Sequence, residues 1–446
     1  MVPDAPAART GPGPGPGPGP EGLDLAPFRG LRYVPGRVGD PAAVTSPPYD
    51  VVVRPDGLHE LETADPYNIV RLILPQAADP AEGHRRAART LRRWRAEGVL
   101  RQDPRPALYV YEQRGPAPGS RQRGVIGALS LTGPGDGTVL PHEDVMPDVV
   151  ADRAALTRAT AANLEPLLLS YRAEHPDDAD HVIDAATRTT PLLATRTGDG
   201  IAHRLWAVTD HAALTRLRAA LHRHRALISD GHHRWATSLR LRDEHAGRPP
   251  WDRAMVLLVN TARYPLRVQA IHRVLPRLPA DRALERVRAT AAFRVRRLSA
   301  PLDDALRTLD AAPGPAFLLS GREPGALHLL DRPDPALLDR TVPAGRPAAW
   351  RALDATVLHT TLLRAVWRIP DEPGSIRYLH DTASALAQAE RADGTAVLLR
   401  PVAEETVRAL AEAGVMMPRK STSFGPKPAS GLVIRPLEEG PVAPEN

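Results

Sequence analysis

Arg225-Ala226-Leu227-Ile228-Ser229-Asp230-Gly231-His232-His233-Arg234-Trp235 passes from an apolar run into a carboxylate, a glycine, two imidazoles and a guanidinium. Ala236, Leu239 and Leu241 then begin an amphipathic helical spacing, so the stretch predicts a strand, a tight loop and a helix start. Such a loop sets a general base or metal-binding carboxylate, titratable imidazoles and a planar phosphate-binding fork at a helix N-terminus. Free backbone N–H groups already favour anions there. Asp230, His232, His233 and Arg234 are therefore candidate site residues. A plainer reading has Asp230 capping the helix, Gly231 supplying a positive φ and the histidines decorating the surface.

Outward from this loop, strand-like and helix-like patterns alternate along the chain. Strands are expected over 27–34, 67–74, 107–112, 124–131, 167–171, 203–208, 254–260 and 266–271, and in the later chain over 293–298, 316–319, 326–330, 376–379, 395–400 and 431–434. Helices are expected over 81–98, 151–163, 175–186, 212–223 and 280–292, through 309, and over 350–366, 382–391 and 404–413. The fold class that follows is α/β (α+β), a mixed sheet with flanking helices. Pro and Gly alternate from Gly11 to Pro20 with nothing apolar to pack, which predicts a disordered Pro/Gly-rich extension over residues 1–22. Residues 23–437 read as one large unit, with a subdivision near 275–300 as the alternative, and 438–446 as a flexible tail.

At 446 residues and 42% hydrophobic content the chain can bury a substantial core. No apolar h-region or membrane-length stretch is present, so the expectation is a soluble, cytoplasmic protein without a membrane partner. The lack of cysteine excludes disulfides and thiolate chemistry. A net charge of +6 would favour nucleic acid, but the arginines are interleaved with Asp and Glu, and 4% aromatic content is thin for base stacking. Those features argue against a nucleic-acid partner.

Three further segments carry candidate chemistry. Val139-Leu140-Pro141-His142-Glu143-Asp144-Val145-Met146-Pro147 joins a carboxylate to an imidazole between prolines, which suits proton abstraction from a hydroxyl. The competing reading is a charged loop capping the next helix. In Ser46-Pro47-Pro48-Tyr49-Asp50 the paired prolines stiffen a loop that either presents Tyr49 and Asp50 or forms a structural corner. Lys420 and Lys427 are the only lysines among 58 basic residues, so a compact ammonium is held there against a strong arginine bias. They lie in Met416-Met417-Pro418-Arg419-Lys420-Ser421-Thr422-Ser423-Phe424-Gly425-Pro426-Lys427, a stretch that suits a phosphate-touching loop involving Ser421 and Thr422. His272 and Arg273, expected at the end of a strand, are candidates for the same pocket.

With these residues in view the chain resembles, from about Pro27 to Pro436, the bacterial family called domain of unknown function 1015. The resemblance rests on Pro47-Pro48-Tyr49-Asp50-Val51, Pro141-His142-Glu143, Asn163-Leu164-Glu165-Pro166, Asp230 through Arg234, Val259-Asn260, His272-Arg273 and Met417 through Thr422 with Phe424 and Pro426-Lys427. Pro141-His142-Glu143 followed by Asp230 through Trp235 also resembles the free serine kinases of the ParB/sulfiredoxin-like fold. That second resemblance implies a ParB/sulfiredoxin-like core, ATP or ADP as cofactor, and magnesium. It implies Glu143 as base toward a serine hydroxyl, and Asp230, His233 and Arg234 as the phosphate and metal group, with Asp230 on the metal. The expected function is phosphate transfer between an adenine nucleotide and a small hydroxyl metabolite such as serine or phosphoserine. The expectation assigns His232, Arg234, Lys420, Ser421, Thr422 and Lys427 to the nucleotide, and Tyr49, Asp50, His142, His272 and Arg273 to the substrate. A phosphohydrolase using the same groups and a non-catalytic nucleotide-binding regulator are the alternatives.

Overall fold

The computed structural model describes residues 22–438 apart from 53, 54, 118, 134, 324, 371 and 373, without the side chains of 55 and 56. The expected extension over 1–22 and tail over 438–446 thus fall almost wholly outside the described residues. The apolar run before the central loop is the strand Ala226–Asp230, buried along its whole length, and it turns through Gly231 into the helix His232–Glu244. Gly231 has φ +98°, and a Cβ there would lie 3.0 Å from Arg234 Nε. Both the left-handed turn and the close guanidinium call for glycine.

The main sheet is mixed. Its strands run in the order Val139–Leu140, Ala226–Asp230, Leu167–Tyr171, Arg253–Asn260, Arg121–Ser130, Leu108–Arg114, Ala202–Val208 and Leu193–Arg196, and Leu25–Ala26 also pairs with Arg121–Ser130. Val139–Leu140 lies parallel to Ala226–Asp230, with Val139 opposite Ala226 and Leu140 opposite Leu227. The Pro141-His142-Glu143 loop and the Asp230 loop therefore leave the sheet at the same end. Arg253–Asn260 shows why the central strands are continuously apolar. Met255, Leu257 and Val259 enter one core, while Ala254, Val256 and Leu258 enter the core on the opposite face.

A second, antiparallel sheet runs Arg294–Leu298, Leu327–Asp331, Phe317–Ser320, Thr395–Leu398, His272–Leu275 and Arg377–Leu379. One hydrophobic core joins the two, since Tyr109 and Met255 of the first sheet cluster with Phe317 and Val397 of the second. The expected α/β class, with a mixed sheet and flanking helices, is the observed one. Among the described residues no helix is long and apolar enough to cross a membrane.

Several local expectations differ from the structure. The predicted strand over 67–74 is instead a turn leading into the short helix Val70–Ile73. The buried Asn68 makes this turn: its Oδ1 accepts from Val70 N at 2.9 Å and its Nδ2 donates to Ala43 O at 2.8 Å. A short apolar run does not by itself separate strand from buried helix. The single helix over 350–366 is three pieces, Ala348–Arg351, Asp354–Val357 and a π-helix Leu358–Trp367. The strand over 266–271 splits into Arg267–Gln269 and His272–Leu275, which belong to different sheets, so His272 and Arg273 open a strand rather than close one. The loop over 416–427 contains a strand, Ser423–Gly425, paired antiparallel with Arg267–Gln269.

Candidate functional site

The acidic loop and the histidine loop are tied together through main chain and rings. The backbone amide of Met146 donates to His233 Nε2 at 3.0 Å, and that of His142 to His232 Nε2 at 3.3 Å. The rings of His142 and His232 meet edge to face with centroids 4.5 Å apart. An Nε2 that accepts an amide belongs to a neutral imidazole carrying its proton on Nδ1. Burial supports the same state. It lowers His142 to about 3, pushes His232 well down with help from its histidine neighbours, and lowers His233 with a further contribution from Lys420. His142 is fully buried and its Nε2 lies 2.9 Å from Thr422 Oγ1, while the Ser421 hydroxyl donates to Pro418 O.

Beside these rings lies an ion cluster. The Lys427 ammonium sits between two carboxylates, 2.6 Å from Asp230 Oδ1 and in contact with Asp50 Oδ2. Arg234 Nη2 takes the other Asp230 oxygen at 2.5 Å, and its Nη1 donates to Pro166 O at 2.7 Å. A point-like ammonium fits between two carboxylates where a planar fork would not, which accounts for a lysine here in an arginine-biased chain. Burial alone would raise Asp50, but the charges of Lys427 and Arg234 outweigh it and hold that carboxyl below its ordinary range. Burial, together with the charge of Asp50, pushes Asp230 up, against the pull of Lys427 and Arg234. Two buried glutamines fix the lysine from behind: Gln122 Nε2 donates to Pro426 O at 2.9 Å and Gln113 Nε2 to Lys427 O at 3.2 Å.

Tyr49 is held by its amide, which donates to Glu165 Oε1 at 3.0 Å, and its ring lies 4.7 Å from the Arg153 guanidinium and 5.9 Å from that of Arg234. The second sheet supplies the opposite flank. Arg273 is fully buried, donates from Nη2 to Lys420 O at 2.9 Å, and stacks 5.1 Å from the Tyr378 ring. Desolvation lowers its pKa to about 10. The Lys420 amide in turn donates to Glu143 Oε1 at 2.9 Å. Burial raises the Glu143 carboxyl, opposed by Lys420 and Arg273 and reinforced by the charge of Asp230. His272 faces elsewhere in the second sheet, with Nε2 2.9 Å from Thr382 Oγ1 and Nδ1 accepting from Leu399 N at 3.2 Å.

Residues 25–356 match the family described as protein of unknown function DUF1015. The chain belongs to that family. No curated protein matches it. Among solved structures, a conserved hypothetical protein from Pyrococcus furiosus is 16% identical, with 65% of this chain and 87% of that one covered at a TM-score of 0.32. A free serine kinase in complex with AMP is 15% identical, with 65% and 84% covered at a TM-score of 0.33. SbnI from Staphylococcus aureus is 10% identical, with 67% and 82% covered at a TM-score of 0.34.

In this DUF1015 chain Tyr378, His380, Lys420 and Lys427 come after the matched span, while Arg273 of the second sheet lies within it. Tyr49, Asp50, Glu143, Asp230, Arg234, Arg273, Lys420 and Lys427, all expected from the sequence, come together in one neighbourhood. Glu165 of the Asn163-Leu164-Glu165-Pro166 motif joins them without having been expected, as do His359, Tyr378 and His380. His359 Nε2 is 3.2 Å from Arg273 Nη2, and His380 sits at the rim with its pKa lowered by desolvation and by Lys427 and Lys420. Neither histidine stands in a local pattern that marks a site. Among the described residues no group of three or more carboxylates and imidazoles is arranged to hold a metal ion. Asp50 and Asp230 do converge on a single cation position, now taken by Lys427.

Proposed function

We propose that this site transfers phosphate between an adenine nucleotide, ATP or ADP, and a small hydroxyl metabolite such as serine or phosphoserine. One observation carries the reading. Glu143, a carboxyl whose proton affinity is raised by burial, is near enough to the ion cluster of Asp50, Lys427, Asp230 and Arg234 for the charge of Asp230 to raise it further. A proton acceptor thus stands near the Lys427 ammonium and the Arg234 guanidinium, cations of the kind that bind phosphate when released from their carboxylates. The nucleotide part of the reading rests on the shared Pro-His-Glu and Asp-Gly-His-His-Arg-Trp motifs.

In the forward direction Glu143 takes the proton as the hydroxyl oxygen bonds to the terminal phosphorus, and the bond from that phosphorus to the nucleoside diphosphate oxygen breaks. Arg234, Lys420 and Lys427 neutralise the phosphate oxygens while the geometry holds the partners in line. Two carboxylates on one cation position fit a magnesium ion, which commonly binds through one or two carboxylates and substrate phosphates. Asp230 with Asp50 would hold it, and it would supply further charge neutralisation. Both Asp230 oxygens are engaged by Lys427 and Arg234, so Lys427 must move off Asp230 for that ion to enter.

The test is incubation with magnesium and either ATP plus serine or ADP plus phosphoserine, with products read by mass spectrometry. Nucleotide-dependent phosphate exchange is expected. Phosphate released from phosphoserine without ADP would indicate a phosphohydrolase instead. Thermal stabilisation by nucleotide with no product over hours would indicate a regulator.

A further inference from the structure

A second set of cations lies in the N-terminal helical layer, among residues that the proposed reaction does not use. The helix Pro80–Ala96 buries Ala87, Ala88, Leu91 and Trp94, which turns its arginines outward. A solvated charged face is the ordinary result of such a pattern. Here, however, Arg86, Arg89 and Arg93, on one stripe of the helix, form a wall of a cavity of about 550 Å³ whose other side includes Pro66, Arg71 and Pro75.

The charge in this cavity is one-sided. Four guanidinium groups line it, and Glu62 is the only carboxylate among the lining residues. Arg89 has Glu82 at 2.6 Å and Arg93 has Glu97 at 3.8 Å, but Arg86 has no carboxylate partner among the described residues. Arg71 is anchored from the short helix Val70–Ile73 by Nη2 donating to Glu62 O at 2.5 Å, and its Nε is buried without an acceptor. A buried donor left open in this way is costly unless something completes it.

We propose that this basin binds a small anion carrying two or more linked phosphates. Guanidinium forks match phosphate oxygens bidentately, and several forks around one cavity favour a multiply charged anion over a single phosphate. No aromatic residue lines the cavity, and two prolines bound it, so it offers neither a stacking platform nor a continuous track for nucleic acid. The linked phosphates could be free pyrophosphate or the triphosphate of a nucleotide.

Arginine modification by phenylglyoxal, mapped by peptide mass spectrometry on the full chain at matched ionic strength, reads the basin directly. Inorganic pyrophosphate is expected to slow modification of Arg86 and Arg93 several-fold. The Arg86→Ala/Arg93→Ala variant, with an unchanged melting temperature, is expected to bind pyrophosphate about a hundredfold more weakly by calorimetry, as the loss of two charge-assisted contacts implies. A parallel arm with ATP separates the sources: protection of the same arginines by ATP assigns a nucleotide triphosphate, and protection by pyrophosphate alone assigns the free anion. Equal modification rates with and without pyrophosphate, or unchanged affinity in the double variant, would overturn the proposal.

Discussion

The backbone amide of Lys420 donates to Glu143 Oε1 at 2.9 Å across 277 residues of chain. Lys420 makes this contact from a left-handed conformation, φ +58°, which costs a residue with a side chain roughly 1 kcal/mol. Neighbouring structure holds that conformation in place: Arg273 grips the Lys420 carbonyl from the second sheet while Glu143 accepts the amide from the first. The site is thus a joint between two sheets rather than a property of either.

Glu143→Gln keeps an oxygen acceptor for the Lys420 amide and removes only the base. Turnover is expected to fall by about 10² to 10⁴ with nucleotide affinity retained, as measured by product formation and by calorimetry. Because burial raises the Glu143 carboxyl, the wild-type rate should climb with pH through a midpoint above that of an ordinary glutamate. A Gln variant that turns over normally removes the base assignment.

Lys427→Met leaves Asp50 and Asp230 facing each other without their shared ammonium. Breaking a buried pair costs about 3–5 kcal/mol, and the lower end applies because the Asp50 side chain is 33% exposed and partly screened. Denaturant unfolding measures the loss, and adding Asp50→Asn should recover part of it. No recovery in the double variant would mean that the two carboxylates are not coupled through this lysine.

Arg234→Lys cannot reach both Asp230 Oδ2 and Pro166 O, because a single ammonium replaces the planar fork. Nucleotide affinity is expected to weaken about tenfold, by loss of one charge-assisted contact. Unchanged binding in a titration would count against a phosphate role for this side chain.

Acid should destabilise the fold through its buried imidazoles. His142 and His359 are lowered to about 3 and His272 to about 4, each mainly by burial. Above the ordinary histidine value of about 6.5 they are neutral in both states and the stability is complete. Below it the unfolded chain takes up protons that the folded chain refuses, so stability falls by about 1.4 kcal/mol per pH unit for each group, until the folded values are reached. Unfolding midpoints between pH 7.5 and 5 test this, and His142→Gln should give a shallower slope than wild type. Parallel slopes would show that His142 does not contribute.

Much of the secondary structure was legible because it follows from local spacing. Gly98, with φ +68°, ends the helix Pro80–Ala96, and the hairpin of Leu108–Arg114 with Arg121–Ser130 follows its alternating pattern. The segment over 67–74 was misread because its β-branched residues satisfy a strand pattern, whereas Asn68 hydrogen-bonds to a distant loop and closes a helical turn. Glu165 was in a noted motif, but nothing next to it signals that it will accept both Tyr49 N and Ser430 Oγ.

Residue chemistry alone determined the strand–glycine–helix turn at Asp230 to Arg234 and the mixed α/β class, since each depends on neighbours within a few residues or on side-chain type. Only the tertiary structure decided that Lys427 would lie between Asp50 and Asp230, that Arg273 would come to this site from another sheet, and that His380 would follow from the end of a neighbouring strand. Those pairings depend on which strands lie side by side and on the path of the chain between them. Contacts between residues hundreds of positions apart leave no periodicity in the sequence from which they could be read.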